Sequence, residues 1–417
     1  MRIRSGATDT TFNSNPVSAF DDEYDKEDVS FTVDELRQAV VTDTDWTAET
    51  ILTQMRRGNF KLNPSFQRRD AWNVKRKSLL IESLILGFPV PQLVLAELKD
   101  QRGTFLVLDG KQRLLTLQQF AVGSSLDVQS YDGVRGFRLS GLEVLPQLNG
   151  KTLADIEEDG SDFELLQSFL NQTVRTVVVR NWPNEDYLHA VFLRLNTGSV
   201  QLSPQELRQA LHPGEFTAFL DSFAAGSEPL QRALGNSGPD FRMRDVELAL
   251  RFYAVDFFLE EYRGNLKAFL DRTAEVLNER FQTEKALITT RSEELEQAVS
   301  TTVRIFGDDA FRSWSPEKGD YQGRFNRAVF DAMVFYFKNP AVRRASLSKP
   351  DEVKAAFKQL AETDQSFVDS ISRTTKTRES FVARIGKWGE TLQNLLSGES
   401  LTIPEIDEGR IIVRRNI

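Results

Sequence analysis

The apolar residues of this chain change their period once, and that change divides it. Between about residues 45 and 212, the stretches "PQLVLAEL", "TFLVL" and "VRTVVV" read as strands. They alternate with "KRKSLLIESLIL" and "NEDYLHAVFLRL", whose apolar residues recur at helical spacing. Beyond residue 213 the strand signals nearly vanish, and "RDVELALRFYAVDFFLEEY" and "RFNRAVFDAMVFYFK" keep the helical period. The expected fold class is therefore α+β. It comprises an α/β-patterned domain over 45–212, a mainly α-helical domain over 213–396, and a tail over 397–417 in which "GRIIVRR" reads as a late strand. Residues 1–44 are polar and carry the acidic run "DDEYDKED" (Asp21 to Asp28), most simply a solvated, largely disordered tail. A length of 417 residues suits two or three domains.

Composition removes several chemistries. With no cysteine, disulfides, thiolate zinc sites and cysteine nucleophiles are excluded. The two histidines, His189 and His212, lie in different segments, too sparse for an HNH nuclease, a zinc hydrolase or a Ser-His-Asp enzyme. No run of 18 apolar residues marks a membrane span and no secretory signal opens the chain, so the expected location is the cytoplasm. A net charge of -9 and a pI near 5.2 argue against general nucleic-acid coating. Any DNA contact must be a local basic patch.

One junction stands out. In "TFLVLDGKQRLLTLQQF", residues 104 to 120, an apolar strand ends at Asp109, a glycine follows, and a helix begins with Lys111, Gln112 and Arg113. Free N–H groups at a helix start beside a glycine that permits close approach make an anion-binding corner. Arg113 can grip two phosphate oxygens and Lys111 can add a point charge. Asp109 can cap the helix or hold a divalent cation beside the phosphates. Such a junction is also a common structural connection with a surface arginine.

The company of this junction gives it meaning. Upstream stands "LNPSFQRRDAWNVKRKSLLIESLILGFPVPQLVL", residues 62 to 95, and downstream "FLRLNTGSVQLSPQELRQAL", residues 192 to 211. Together these blocks resemble the N-terminal domain of GmrSD-type restriction endonucleases, in the ParB/sulfiredoxin-like superfamily. The family pattern runs Q-R-x-x-x-W, then L-I-E-S-hydrophobic-G-x-P-x-P, then D-G-Q-Q-R, then R-L-N-x-G-x-x-L-S-x-x-E-L, and all four blocks occur here in order. The resemblance implies a ParB/sulfiredoxin-like fold for 45–212, and extends more loosely into the helical half, as in stand-alone members without the HNH nuclease domain.

Carried over residue by residue, the resemblance implies a nucleotide-phosphate corner at Asp109, Gly110, Lys111, Gln112 and Arg113. Gln67, Arg68 and Trp72 would wall the pocket, with Arg68 a second phosphate- or DNA-facing cation; burial of Trp72 in the core is the alternative. Glu82, on an otherwise apolar helix, is either paired with an arginine or placed to bind a metal or activate water. Asp109 and Glu82 are the implied metal ligands, with Mg²⁺ expected beside a bound nucleoside triphosphate, and Asp109, Glu82 and Arg113 the implied catalytic residues. One departure is Lys111, where the family has glutamine: the added charge suits nucleotide binding more clearly than it suits hydrolysis.

In the last block, Ser203, Pro204 and Glu206 form a capping box with proline at the first helical position, and Asn196-Thr197-Gly198 suits a helix end. Arg194 and Asn196 are the further ligand-contact residues, while His189 reads as structural. Near the C-terminus, Arg373, Lys376, Arg378, Arg384 and Lys387 interleave with hydroxyls, a composition that suits phosphate-backbone contact or a solvated basic face. Two functions follow. One is a nucleoside-triphosphatase acting in restriction or anti-phage defence; the other is a nucleotide-gated module that binds DNA or senses its modification without significant hydrolysis. In both, cleavage belongs to a separate effector or nuclease chain.

Overall fold

Strand β1 (Val40–Thr47) opens the structure and runs into helix α1 (Ala48–Arg56), whose N-cap, Thr47, accepts the Thr50 N–H. Then come β2 (Phe60–Lys61), α2 (Val74–Ile85), β3 (Leu93–Glu97), β4 (Phe105–Asp109) and α3 (Lys111–Phe120). Helices α4 (Leu153–Glu158) and α5 (Phe163–Asn171), strand β5 (Thr173–Arg180), and helices α6 (Glu185–Leu195) and α7 (Pro204–Leu211) complete the first half. This computed structural model describes residues 38–61, 72–128, 134–195, 203–373, 375–396 and 401–413.

The five strands form one mixed sheet in the order β1-β5-β3-β4-β2. β1 pairs antiparallel with β5, β5 parallel with β3, β3 antiparallel with β4, and β4 parallel with β2. Because successive strand residues face opposite ways, β3 and β4 feed two cores. Leu93, Leu95, Phe105 and Val107 pack beneath α1, α2, α3 and α5. Val94, Ala96, Leu106 and Leu108 meet Trp182, Leu188 and Leu207 on the other side. Burial on both faces is why these strands read as unbroken apolar runs rather than alternating ones. The strands anticipated in "PQLVLAEL", "TFLVL" and "VRTVVV" are β3, β4 and β5. β1 was not anticipated: it begins at Val40, inside the stretch assigned to the acidic tail, and its largely polar sequence "VVTDTDWT" lies on a sheet edge.

The second half is helical: α8 (Glu215–Gly226), α9 (Glu228–Ala233), α10 (Arg244–Phe258) and the 41-residue α11 (Leu266–Phe306). After these come α12 (Arg327–Phe337), α13 (Pro340–Leu347), α14 (Pro350–Thr363), α15 (Gln365–Ser372) and α16 (Arg378–Leu395). Two small hairpins complete it: β6 (Trp314–Ser315) with β7 (Asp320–Tyr321), and β8 (Pro404–Asp407) with β9 (Arg410–Val413), the second containing the expected late strand. Helix α12 is buried along its whole length. At the centre of this core, Asp331 of α12 accepts from Arg251 of α10 at 2.6 Å and from Arg384 of α16 at 2.9 Å, all three nearly free of solvent.

That arrangement corrects the expected basic face near the C-terminus. Arg384 is a core residue, donating also to the Thr375 carbonyl and stacking over Phe381. Lys387 pairs with Asp364 at 3.4 Å, and Arg378 donates to the Gly409 carbonyl. Arg384 is therefore not part of a solvent-facing basic patch, and Arg378 and Lys387 each have a partner within the chain.

Candidate functional site

The site is built where β4 turns into α3. Gly110 sits at φ 103°, in the left-handed region, and a Cβ there would lie 2.2 Å from the Leu93 side chain. Only glycine lets the chain leave the sheet so tightly. Asp109 is not the helix cap. Its Oδ1 accepts the Gly110 N–H at 2.7 Å and its Oδ2 accepts from Arg113 Nη2 at 2.9 Å, while Gly110 itself occupies the N-cap position with no side-chain cap bond.

Arg113 Nη2 also donates to the Gln92 carbonyl at 2.8 Å, which ties α3 to the start of β3. Its Nε is buried with no hydrogen-bond partner, and so is Oε1 of Gln112 beside it. Buried polar atoms are normally satisfied, so two orphans at one helix start mark a place where a ligand or water would complete the bonding. Helix α3 carries no acidic residue in its first turn, where the macrodipole favours one.

Lys111 turns the other way. Its ammonium is paired with Glu206 in the buried interior, each side chain under a tenth exposed. Glu206 is also the third residue of the predicted capping box: its Oε2 accepts the Ser203 N–H at 2.6 Å, and its own N–H goes to Ser203 Oγ at 3.1 Å. The D-G-K-Q-R block and the L-S-P-Q-E-L block, 95 residues apart at this pair, are thus joined directly.

A concavity of about 360 Å³ opens in front of the corner, lined on one side by residues 109–113 and on the other by α2 with the segment before it. Arg76, Leu79, Leu80 and Ser83 line it, at the spacing that puts side chains on one helix stripe. Trp72 lines it too, and the Arg76 guanidinium lies over the indole, 4.6 Å from its centroid. The opposite stripe of α2 has a different task. Ser78 Oγ accepts the Ser140 N–H at 2.9 Å, and Glu82 Oε1 accepts the Val144 and Leu145 N–H groups at 3.1 and 2.9 Å.

Of the residues singled out in the sequence, the structure brings Asp109, Gly110, Lys111, Gln112, Arg113 and Trp72 to one cavity. It does not bring Glu82 there. That carboxylate is buried and accepts two backbone amides, and among the described residues it has no arginine partner. Among the described residues no group of three or more metal-ligating side chains is present. Gln67, Arg68 and Asn196 lie outside the described residues; Arg194 and His189 fall on α6, with their side chains outside the described set. His212 lies between Glu185 of α6 at 3.3 Å and Glu275 of α11 at 3.5 Å. Sequence reasoning missed Arg76 and the partner role of Glu206. The signal for the first was available: "VKRK" places three cations in the opening turn of a helix, where the dipole disfavours them.

The seam to the helical half lies behind α7. Arg208 of α7 pairs with Asp271 of α11 at 2.6 Å, and Lys267 bridges Asp271 at 2.9 Å and Asp186 of α6 at 3.0 Å. Burial by itself would raise the Asp271 carboxyl, but Arg208 and Lys267 outweigh it and hold it below the ordinary carboxylate range.

A mixed sheet with helices on both faces, and a strand-glycine-helix corner opening on a cavity, make this an α+β domain with one candidate site at the junction. Residues 48–213 match the family model described as "GmrSD restriction endonuclease, N-terminal domain". No curated protein and no solved structure matches the chain. No helix among the described residues is long and apolar enough to cross a membrane.

Proposed function

We propose that this protein is a nucleotide-binding component of a restriction or anti-phage defence system, acting on DNA together with a separate effector chain. The observation that carries the reading is the pair of orphaned buried atoms, Gln112 Oε1 and Arg113 Nε, at the N-terminus of α3, in two residues that line an open cavity. The match of residues 48–213 to a restriction-endonuclease domain supports the biological setting and DNA as the target. In this reading the phosphate chain of a nucleoside triphosphate meets the first turn of α3 and the Arg113 guanidinium, and Asp109 is the carboxylate among the described lining residues for the Mg²⁺ that accompanies it. A single carboxylate plus phosphate oxygens is an ordinary set for Mg²⁺.

Binding is the first commitment and turnover the second. Glu82 is directed at backbone amides outside the cavity, and among the described residues Asp109, already engaged by Arg113, is the one acidic side chain lining it. A nucleotide-gated module with slow or no hydrolysis therefore fits this geometry better than a fast nucleoside-triphosphatase. The deciding experiment measures binding of each of the four NTPs with Mg²⁺ by calorimetry, and phosphate release in parallel, for wild type, Arg113→Ala and Gln112→Ala, with and without DNA. Saturable binding by wild type, weakened in both variants at a temperature where each is still folded by circular dichroism, is expected. Wild-type protein that binds none of the four would overturn the reading, and rapid release lost in Arg113→Ala would restore the enzyme in its place.

A further inference from the structure

Among the described residues three cations line the cavity, and two are already committed. Arg113 is held by Asp109 and the Gln92 carbonyl, and Lys111 is turned inward to Glu206. The third is Arg76, exposed, on the opposite wall. Among the described residues it forms no ion pair, and its guanidinium is held over the Trp72 ring.

Its position is electrostatically costly. Helix α2 has Lys75, Arg76 and Lys77 in its first turns and no acidic residue there, against the preference of the helix N-terminus for negative charge. Two of these have packing roles: the Lys77 ammonium lies 5.7 Å from the centroid of buried Phe137, and the Lys75 alkyl chain lies against Gly141. Arg76 has neither role; what it has is an aromatic plane that fixes its orientation and an open cavity in front of it. A guanidinium presents five N–H donors, and stacking on an indole occupies its face while leaving those edge donors free for an anion.

We propose that Arg76 is a ligand-binding residue that contacts the phosphate chain of the nucleotide from the wall opposite α3, with Trp72 as the positioning residue that aims it. This rests on the nucleotide reading above and adds a contact that the D-G-K-Q-R corner does not contain. The phosphate chain then lies between the α3 N-terminus and the α2 guanidinium. Ligand affinity depends on how well Trp72 holds that guanidinium.

The test uses the whole chain and two probes, the tightest-binding NTP with Mg²⁺ and inorganic triphosphate, which has no base. Calorimetry is run on wild type, Arg76→Gln, Arg76→Lys, Trp72→Leu and Arg113→Ala, with the melting temperature of each recorded. Arg76→Gln is expected to weaken both probes by about tenfold or more, the loss of one charge-assisted contact, with the melting temperature unchanged because the residue is exposed. Arg76→Lys should recover part of this loss, and Trp72→Leu should weaken binding although Arg76 is still present. Binding equal to wild type in Arg76→Gln, alongside loss in Arg113→Ala, would overturn this inference and leave the nucleotide reading standing. Failure of wild type to bind either probe would overturn both.

Discussion

Glu82, a carboxylate on an apolar helix, left a structural pairing and a metal- or water-directed role both open in the sequence, and in the structure its partners are backbone amides. Two amides from the loop at residues 144–145 converge on one of its oxygens, so the side chain clips that loop to α2. Hydrogen bonds to an ionised acceptor contribute about 1.5–3 kcal/mol each, and a neutral amide in the same place keeps only part of this. Glu82→Gln is therefore expected to lower unfolding stability by roughly 1–3 kcal/mol in urea titrations while leaving NTP affinity unchanged. Lost affinity at unchanged stability would return Glu82 to the site. Spacing alone could not separate these roles: the stripe of α2 through Arg76 and Ser83 faces the cavity, and the stripe through Ser78 and Glu82 faces the loop, but a sequence shows the two stripes without showing what lies opposite each.

At the level of elements, α3 and α7 are joined by Lys111 and Glu206, a buried pair that departs from the glutamine usual at the first position. Removing one partner of a buried pair leaves an uncompensated charge, at a cost of about 3–5 kcal/mol. Lys111→Gln alone should therefore be strongly destabilising, and Lys111→Gln with Glu206→Gln should recover most of the loss. A double-mutant cycle in denaturant reads the coupling directly, and additive single effects would show that the pair is not coupled. The strands β3, β4 and β5, the helices α2 and α6, and the Ser203-Pro204-Glu206 cap were legible because each rests on local pattern. The partner of Lys111 was not, since a contact across 95 residues leaves no local trace. Nor was β1, an edge strand whose largely polar sequence resembles the tail before it. The burial of Arg384 escaped for the same reason as the Lys111 contact: its carboxylate, Asp331, lies on a distant helix.

Across the whole molecule, the described residues of the two halves keep separate apolar cores and meet through ion pairs and hydrogen bonds. Asp271 titrates below the ordinary carboxylate range in the folded chain, because Arg208 and Lys267 outweigh its burial. A depressed folded pKa contributes stability that is complete above the unfolded value, near 4, and is lost as pH falls through the folded one. The urea midpoint of wild type should accordingly fall on acidification below about pH 4 more steeply than that of Asp271→Asn, which is weaker at neutral pH but lacks this titration. Parallel pH dependence in the two proteins would show that the seam does not contribute.

The same seam bears on inheritance. The recognisable domain stops at residue 213, yet Arg208 and His212, just inside that limit, find their carboxylates on α11, which the match does not cover. A gene fusion or an expression truncation placed at residue 213 would cut through these pairs and leave a buried arginine without its counter-charge. The segment that can be passed intact from one protein to another is therefore longer than the segment by which it is recognised, and a split that respects the molecule has to carry the first turns of α11 with it.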